Sequence, residues 1–395
     1  MTDAPTRDCT AHFTAALSAM PGRLHMAAHS HHPWPDVTRD AHLAAWDLAA
    51  SHLDHKWPAI LDTVVPQAQG HVAGRLGLPD RTTIVFAPNT HDLVVRVASC
   101  LPQRLRILTT DAEFHSAERQ FRRWEEAGRA EVERVPAEPF PTFPERFAAA
   151  MGTHHDLVLF SHVLFNSGYV VPDLDALVAA VPSDETFVVI DGYHGFMAVP
   201  TDLGGVADRA FYVAGGYKYA MSGEGVCFLH APPGRGSRPV DTGWFATFGA
   251  LSETATGAVS YAEDGWRFAG ATFDPSGLFR FNAVQRWLDE LDVDVAAIHT
   301  HVGGLQQRFL RAIAPDDPNA TPVGELIPGA DVDDRGHFLT FRTPRASTLQ
   351  QRLTDAGVVT DHRGDRLRFG FGLYHDADAI DRVAVIVRDI AQGTR

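Results

Sequence analysis

Between about residue 80 and residue 230 the chain alternates short, wholly apolar runs with segments of helical periodicity. The runs are TTIVFAP, LRILTT, DLVLFSHVLF, TFVVID, AFYVAGG and GVCFLH, each closed by glycine, proline or polar residues. A strand apolar at every position is buried on both faces, and helix-sized spacers supply the crossovers that parallel pairing needs. The pattern predicts an α/β domain with a mainly parallel sheet between helices, its ligands lying at the carboxyl ends of the strands. Beyond about residue 280 the pattern changes. FNAVQRWLDELDVDVAAIHTHVGGLQQRFLRAI reads as one long helix, followed by HFLTFRTP, a helix around TLQQRLTDAG, the run RLRFGFGLY and a terminal helix DAIDRVAVIVRDIAQ. We expect a large domain over residues 25–280 and a smaller α+β domain built from residues 1–24 and 281–395, since chain termini commonly lie close together.

Composition narrows the class. A net charge of −15 argues against a nucleic-acid footprint, which needs clustered Lys and Arg, and the basic stretch PPGRGSRP reads as a solvated loop. No run approaches the roughly 20 apolar residues of a membrane span. The opening MTDAPTRDCTAHF is acidic and has no apolar core of a secretory signal, so a cytoplasmic location is the default expectation. Cys9, Cys100 and Cys227 are too few and scattered for a disulfide framework or a zinc cluster.

The candidate chemistry gathers at strand ends. In GGYKYAMSGEG, Lys218 follows the run AFYVA, flanked by Tyr217 and Tyr219 among glycines. Asp191 ends TFVVI and opens DGYHG, with His194 three residues on. A buried carboxylate there needs a cationic partner or serves as a helix cap. Together the two strands project a carboxylate, an imidazole and an amine towards one crevice, the set that pyridoxal phosphate (PLP) needs: an amine for the Schiff base, a carboxylate for the ring nitrogen and donors for the oxygens. In VFAPNTHDLVVRVA a strand runs into a helix start at Asn89, Thr90 and His91, where free N–H groups and the helix dipole favour a phosphate, although the same residues serve ordinary capping. Phe114, at the junction after LRILTT, either stacks on a planar cofactor or packs in the core.

The order and spacing of these segments resemble the class V aminotransferase superfamily of fold type I PLP enzymes, the kynureninase-like branch above all. The motifs are DGYHG, GGYKY, the EFHS segment, PNTH, GWF (Gly243 to Phe245), FAGATFDPSG (Thr272) and RLRFGFGLY (Arg368), from about residue 25 onward. The resemblance implies that Lys218 carries the Schiff base and shuttles protons, Asp191 pairs with the pyridine nitrogen and His194 lies near the phenolate side. It implies that Phe114 stacks on the ring, and that Thr90, His91 and Tyr217 bind the phosphate, joined across a homodimer interface by Thr272 and by Trp244, whose other reading is interface packing. Asn166 falls near the ring oxygen or the substrate carboxylate. Arg368 grips the α-carboxylate of an amino-acid substrate, or else makes a structural ion pair.

Some residues depart from the family pattern. Glu224 stands in SGEG where proline is frequent, Ala271 stands where glycine is usual, the segment after GWF reads ATFGAL, and HSHHPWPD replaces an asparagine-rich loop. The residues that would recognise an aminobenzoyl ring are therefore not evident. His29, His31 and His32 invite a metal, but nothing completes a tetrahedral set. We expect no metal and a substrate-facing loop in which His31 and His32 take part. Sulfur transfer is expected to be excluded, because no cysteine follows Cys227, which reads as a buried strand residue. Hydrolytic Cβ–Cγ cleavage leads, with amino transfer to a keto acid next, then epimerisation or elimination. A non-catalytic PLP-fold regulator is the alternative of another class.

Overall fold

The computed structural model describes residues 9–151, 154–250, 257–317, 319–330 and 335–393. Seven strands form the main sheet: β1 (Ile84–Ala87), β2 (Leu105–Thr110), β3 (Ala130–Val135), β4 (Leu157–Ser161), β5 (Phe187–Asp191), β6 (Ala210–Gly215) and β7 (Cys227–His230). Their order is β1-β7-β6-β5-β4-β2-β3. All pairs are parallel except those of β7, which runs antiparallel to both β1 and β6. Alternate side chains feed two cores: Phe160, Ile190, Tyr212 and Phe228 on one face, and Leu159, Val189, Phe211 and Leu229 on the other. This is why the strands read as unbroken apolar runs.

The strand β3 has no such run and was not anticipated. It is an edge strand, AEVERV, in which only Ala130 and Val135 are buried. Its Arg134 pairs with Glu118 at 3.0 Å and Glu125 at 2.8 Å, so charge rather than apolar burial fixes its neighbour helix. Charged, half-solvated positions are what edge strands tolerate and what hides them from a search for apolar runs.

Helices α1 (Val37–His52), α2 (Thr90–Ala98) and α3 (His115–Glu126) belong to the large layer. The segment expected as one long helix is two, α4 (Ser276–Glu290) and α5 (Val295–Ile313). Asp292 takes a left-handed φ of 55°, and the Asp294 carboxylate accepts from the Ala297 N–H at 2.7 Å, starting a new helix. DVDV therefore acts as a stop and an N-cap, which the continuous amphipathic pattern masked. From α4 the buried Arg280 donates to the carbonyls of Ser222 (2.7 Å) and Glu224 (2.8 Å), tying this helix to the loop after Lys218.

A second, antiparallel sheet comprises β8 (Ala320–Thr321), β9 (Gly324–Ile327), β10 (Phe338–Arg342), β11 (Asp361–Arg363) and β12 (Arg366–Gly370), in the order β11-β12-β10-β9-β8. Phe309 of α5 and Val383 and Val387 of α7 (Ala377–Gln392), the last helix, pack with Phe341 and Phe369 in its core; α6 (Ala346–Asp355) lies between β10 and β11. The N-terminal segment joins this part of the molecule. Leu24 and His25 pair in parallel with Val358 and Val359, and Phe13 lies 5.9 Å from the Tyr374 ring.

Candidate active site

The carboxyl ends of β5 and β6 open into a cavity of about 220 Å³ lined by Thr90, His91, Phe114, Asp191, His194, Tyr217 and Lys218, among others. Lys218 is 4% exposed, and its Nζ lies 2.9 Å from His194 Nε2. Three rings surround the amine, with centroids at 5.1 Å (Phe114), 4.8 Å (Tyr193) and 5.6 Å (Tyr217). Burial lowers the Lys218 ammonium from its usual range to about 7, against the opposing pull of Asp191. An amine at that value is substantially neutral, and hence nucleophilic and basic, at neutral pH. Burial likewise drives His194 far below its usual value, so its imidazole is neutral.

Asp191 is the complement. Burial raises its carboxyl, and the Tyr193 N–H, which donates at 2.9 Å, and Lys218 pull the other way. It sits where the chain must turn sharply. An added Cβ at Gly192 would come within 1.9 Å of the Tyr212 ring and hydroxyl, so only glycine lets the backbone pass. At the phosphate end, the Asn89 side chain caps α2 by accepting from Asp92 N at 2.9 Å, and the Thr90 backbone N–H is directed at the Cys227 sulfur. The Thr90 hydroxyl and the His91 N–H remain as donors at a helix N-terminus.

These residues fit PLP. A buried, incompletely compensated carboxylate suits a ring N–H⁺, a caged neutral amine suits an aldehyde, and Phe114 at the N-cap of α3 suits the ring face. The cavity also holds Ser116, Ser161, Tyr193 and Cys227, none of which was anticipated. Tyr193 follows Asp191 by two residues, and its approach to Lys218 was legible only as an aromatic in DGYHG.

Other expected residues lie elsewhere. Arg368 of β12 is 3% exposed and already paired: its Nε donates to Asp361 Oδ1 at 2.8 Å, its Nη2 to Oδ2 at 2.5 Å, and its Nη1 to the Phe165 carbonyl. Asp361 stands opposite it in register on β11 and also accepts from His29 Nε2 at 2.9 Å. Burial pushes the Asp361 carboxyl up, but the His29 hydrogen bond and Arg368 outweigh it and hold it far below the carboxylate range. His29 stacks on Phe338 at 4.8 Å, and His194 approaches the same ring at 5.7 Å, which links the pair to the cavity wall. His32 is buried, bonded to the Pro33 carbonyl and packed on Tyr374 at 5.0 Å, so it does not face the cavity. His31 does reach the rim: it is exposed, stacks on Tyr217 at 5.3 Å and lies 3.9 Å from Glu224. Asn166 lines no part of the cavity and accepts from Arg366 through its carbonyl. Trp244 is exposed and stacked on Phe245, and Thr272 is exposed; neither lines this chain's cavity. The segment beyond ATFGA, residues 251–256, lies outside the described residues. Among the described residues no His, Cys, Asp and Glu group could hold a metal, and no helix is long and apolar enough to cross a membrane.

The sheet order and the Lys218–Asp191 cavity define the fold type I architecture of PLP-dependent enzymes. The chain belongs to the aminotransferase class-V family, whose model matches residues 45–319, and its cofactor is PLP. Over 337 residues, 81% of each chain, it is 22% identical to a probable cysteine desulfurase of Vibrio cholerae. Over 220 residues, 54% of this chain and 52% of the other, it is 29% identical to a kynureninase of Deinococcus radiodurans. Its fold is similar to that of a cystine C–S lyase solved with its reaction product cysteine persulfide, with a TM-score of 0.79 and 18% identity over 94% of this chain and 99% of that one.

These matches overturn the exclusion of cysteine desulfurases made from cysteine positions. Cys227 is buried in a strand, as expected, where it opens β7, but it also lines the cavity, and burial raises its thiol to about 11.

Proposed function

We propose that this enzyme removes the α-proton of an L-amino acid and cleaves a bond at its β-carbon, with kynureninase-like hydrolysis of Cβ–Cγ as the first reading. The observation that carries it is Lys218, buried and lowered to about 7, 2.9 Å from a neutral His194 and beside the buried Asp191. When bound, PLP supplies an electron sink for negative charge at the substrate α-carbon. Asp191 would hold the positive ring nitrogen, the Phe114 and Tyr193 rings around the Lys218 amine would help exclude water, and Lys218 would take the α-proton. A guanidinium has five N–H donors. Asp361 and Phe165 accept from three of those of Arg368, and two remain. The proposal includes a homodimer, supported by the exposure of Trp244 and Thr272 away from their own cavity; an active monomer in sedimentation would refute that part.

A second reading, cleavage of a Cβ–S bond, is supported by the similarity to the Vibrio protein over 81% of each chain. The PLP-loaded protein is mixed with L-kynurenine and, separately, with L-cystine while cofactor absorbance is recorded. Anthranilate fluorescence supports the hydrolytic reading and persulfide or sulfide release the sulfur reading. Accumulation of the amine form of the cofactor would replace both with amino transfer. Bound PLP whose spectrum answers no amino acid would make the protein a non-catalytic member.

A further inference from the structure

One buried carboxylate at the site has no part in the chemistry described so far. Glu113, 4% exposed, lies in the connection between β2 and α3, immediately before Phe114. Its Oε1 accepts from Thr110 Oγ1 at 2.8 Å and from the Ser161 N–H at 3.1 Å, and its Oε2 accepts from Ser161 Oγ at 2.6 Å. All three donors are uncharged. Ser161 ends β4, is paired in register with Asp191 on β5, and lines the cavity. The second carboxylate therefore stands directly behind the strand neighbour of Asp191.

A serine hydroxyl has one proton. While Glu113 is ionised, Ser161 gives that proton to Oε2 and can offer the cavity only lone pairs. Once Glu113 is protonated it becomes the donor, and the Ser161 proton is free to turn towards the cavity. The charged group acting on Glu113 is Asp191 on β5; Thr110 and Ser161 contribute neutral donors. Burial raises the Glu113 carboxyl to about 7, with its three donors opposing and Asp191 adding to the rise. The two states thus exchange near neutrality.

We propose that Glu113 is a positioning residue for the cofactor: acting through Ser161, it sets whether the cavity wall beside Asp191 accepts or donates a hydrogen bond, and its ionised state favours the protonated ring. An acceptor beside Asp191 stabilises a ring N–H⁺, whereas a donor there opposes it. The inference depends on PLP binding and not on which bond is cleaved.

The test compares wild type, Glu113→Gln, Glu113→Asp, Ser161→Ala and the Glu113→Gln/Ser161→Ala double variant. The readouts are the dissociation constant of PLP and the absorbance of the bound cofactor, each followed as pH is raised across neutrality. Wild type is expected to bind PLP more tightly above about 7 than below it. Glu113→Gln and Ser161→Ala should each shrink that step to the part that Lys218 supplies, and weaken binding at high pH by about tenfold, the size of one charge-assisted hydrogen bond. The double variant should be no worse than either single one, because both changes cut the same relay. Glu113→Asp should restore part of the step. A pH profile unchanged in either single variant, or losses that add in the double variant, would overturn the proposal. So would variants that melt earlier but bind PLP with the wild-type profile, leaving Glu113 as a strut between β2 and β4.

Discussion

Replacing Asp361 with Asn tests whether the buried pair with Arg368 stabilises the small domain. The Arg368 guanidinium is 3% exposed, and its Nε and Nη2 each meet one oxygen of Asp361, while His29 donates to Oδ1 from the other side. Asn keeps one oxygen but sets an NH₂ group against a guanidinium or an imidazole N–H, so one donor must face another. Removing one partner of a buried ion pair costs about 3–5 kcal/mol because the other charge stays buried. The retained amide oxygen returns about 1 kcal/mol, which puts the expectation near 3 kcal/mol. With a urea dependence of about 3 kcal/mol per molar, the midpoint of the apoprotein should fall by about 1 M. The effect has a sign in pH. The folded Asp361 carboxyl is held far below its unfolded value, so its contribution is complete above about 4 and fades as pH falls further. The gap between wild type and Asp361→Asn should therefore narrow on the acid side. Equal midpoints at neutral pH would refute the reasoning and return Arg368 to the role of a free substrate clamp.

Three further outcomes are expected. Because burial brings Lys218 to about 7, the rate at which apoprotein reloads with PLP should climb through neutrality and then level off; stopped-flow absorbance that keeps rising towards the usual lysine range would contradict it. Lys218→Ala should abolish turnover by at least about a thousandfold while leaving weak, non-covalent PLP binding, so turnover within tenfold of wild type would remove the lysine from the mechanism. Gly192→Ala, which drives a Cβ into the Tyr212 ring, should cost at least about 1–3 kcal/mol and shift Asp191; an unchanged thermal midpoint together with unchanged PLP affinity would show that the turn can yield.

The layers and the chemical centre were legible in the order of residues alone. Six of the seven strands in the main sheet were visible because burial on both faces leaves only apolar residues, and Lys218 and Asp191 stood out because ionisable groups at the ends of such strands need a partner. The charged edge strand β3 escaped because its stability comes from Arg134 and its two glutamates rather than from apolar burial. The break between α4 and α5 escaped because amphipathic periodicity continues through DVDV. Which polar groups share a space emerges from the packed fold. His32 is one residue from His31 yet turns into the core, and Arg368 meets an aspartate seven residues back across a hairpin. Glu113 reaches Ser161, 48 residues away, through adjacent parallel strands. Sequence periodicity specifies which face of an element is buried; which charges then neutralise one another depends on strand order and register, which non-local pairing sets.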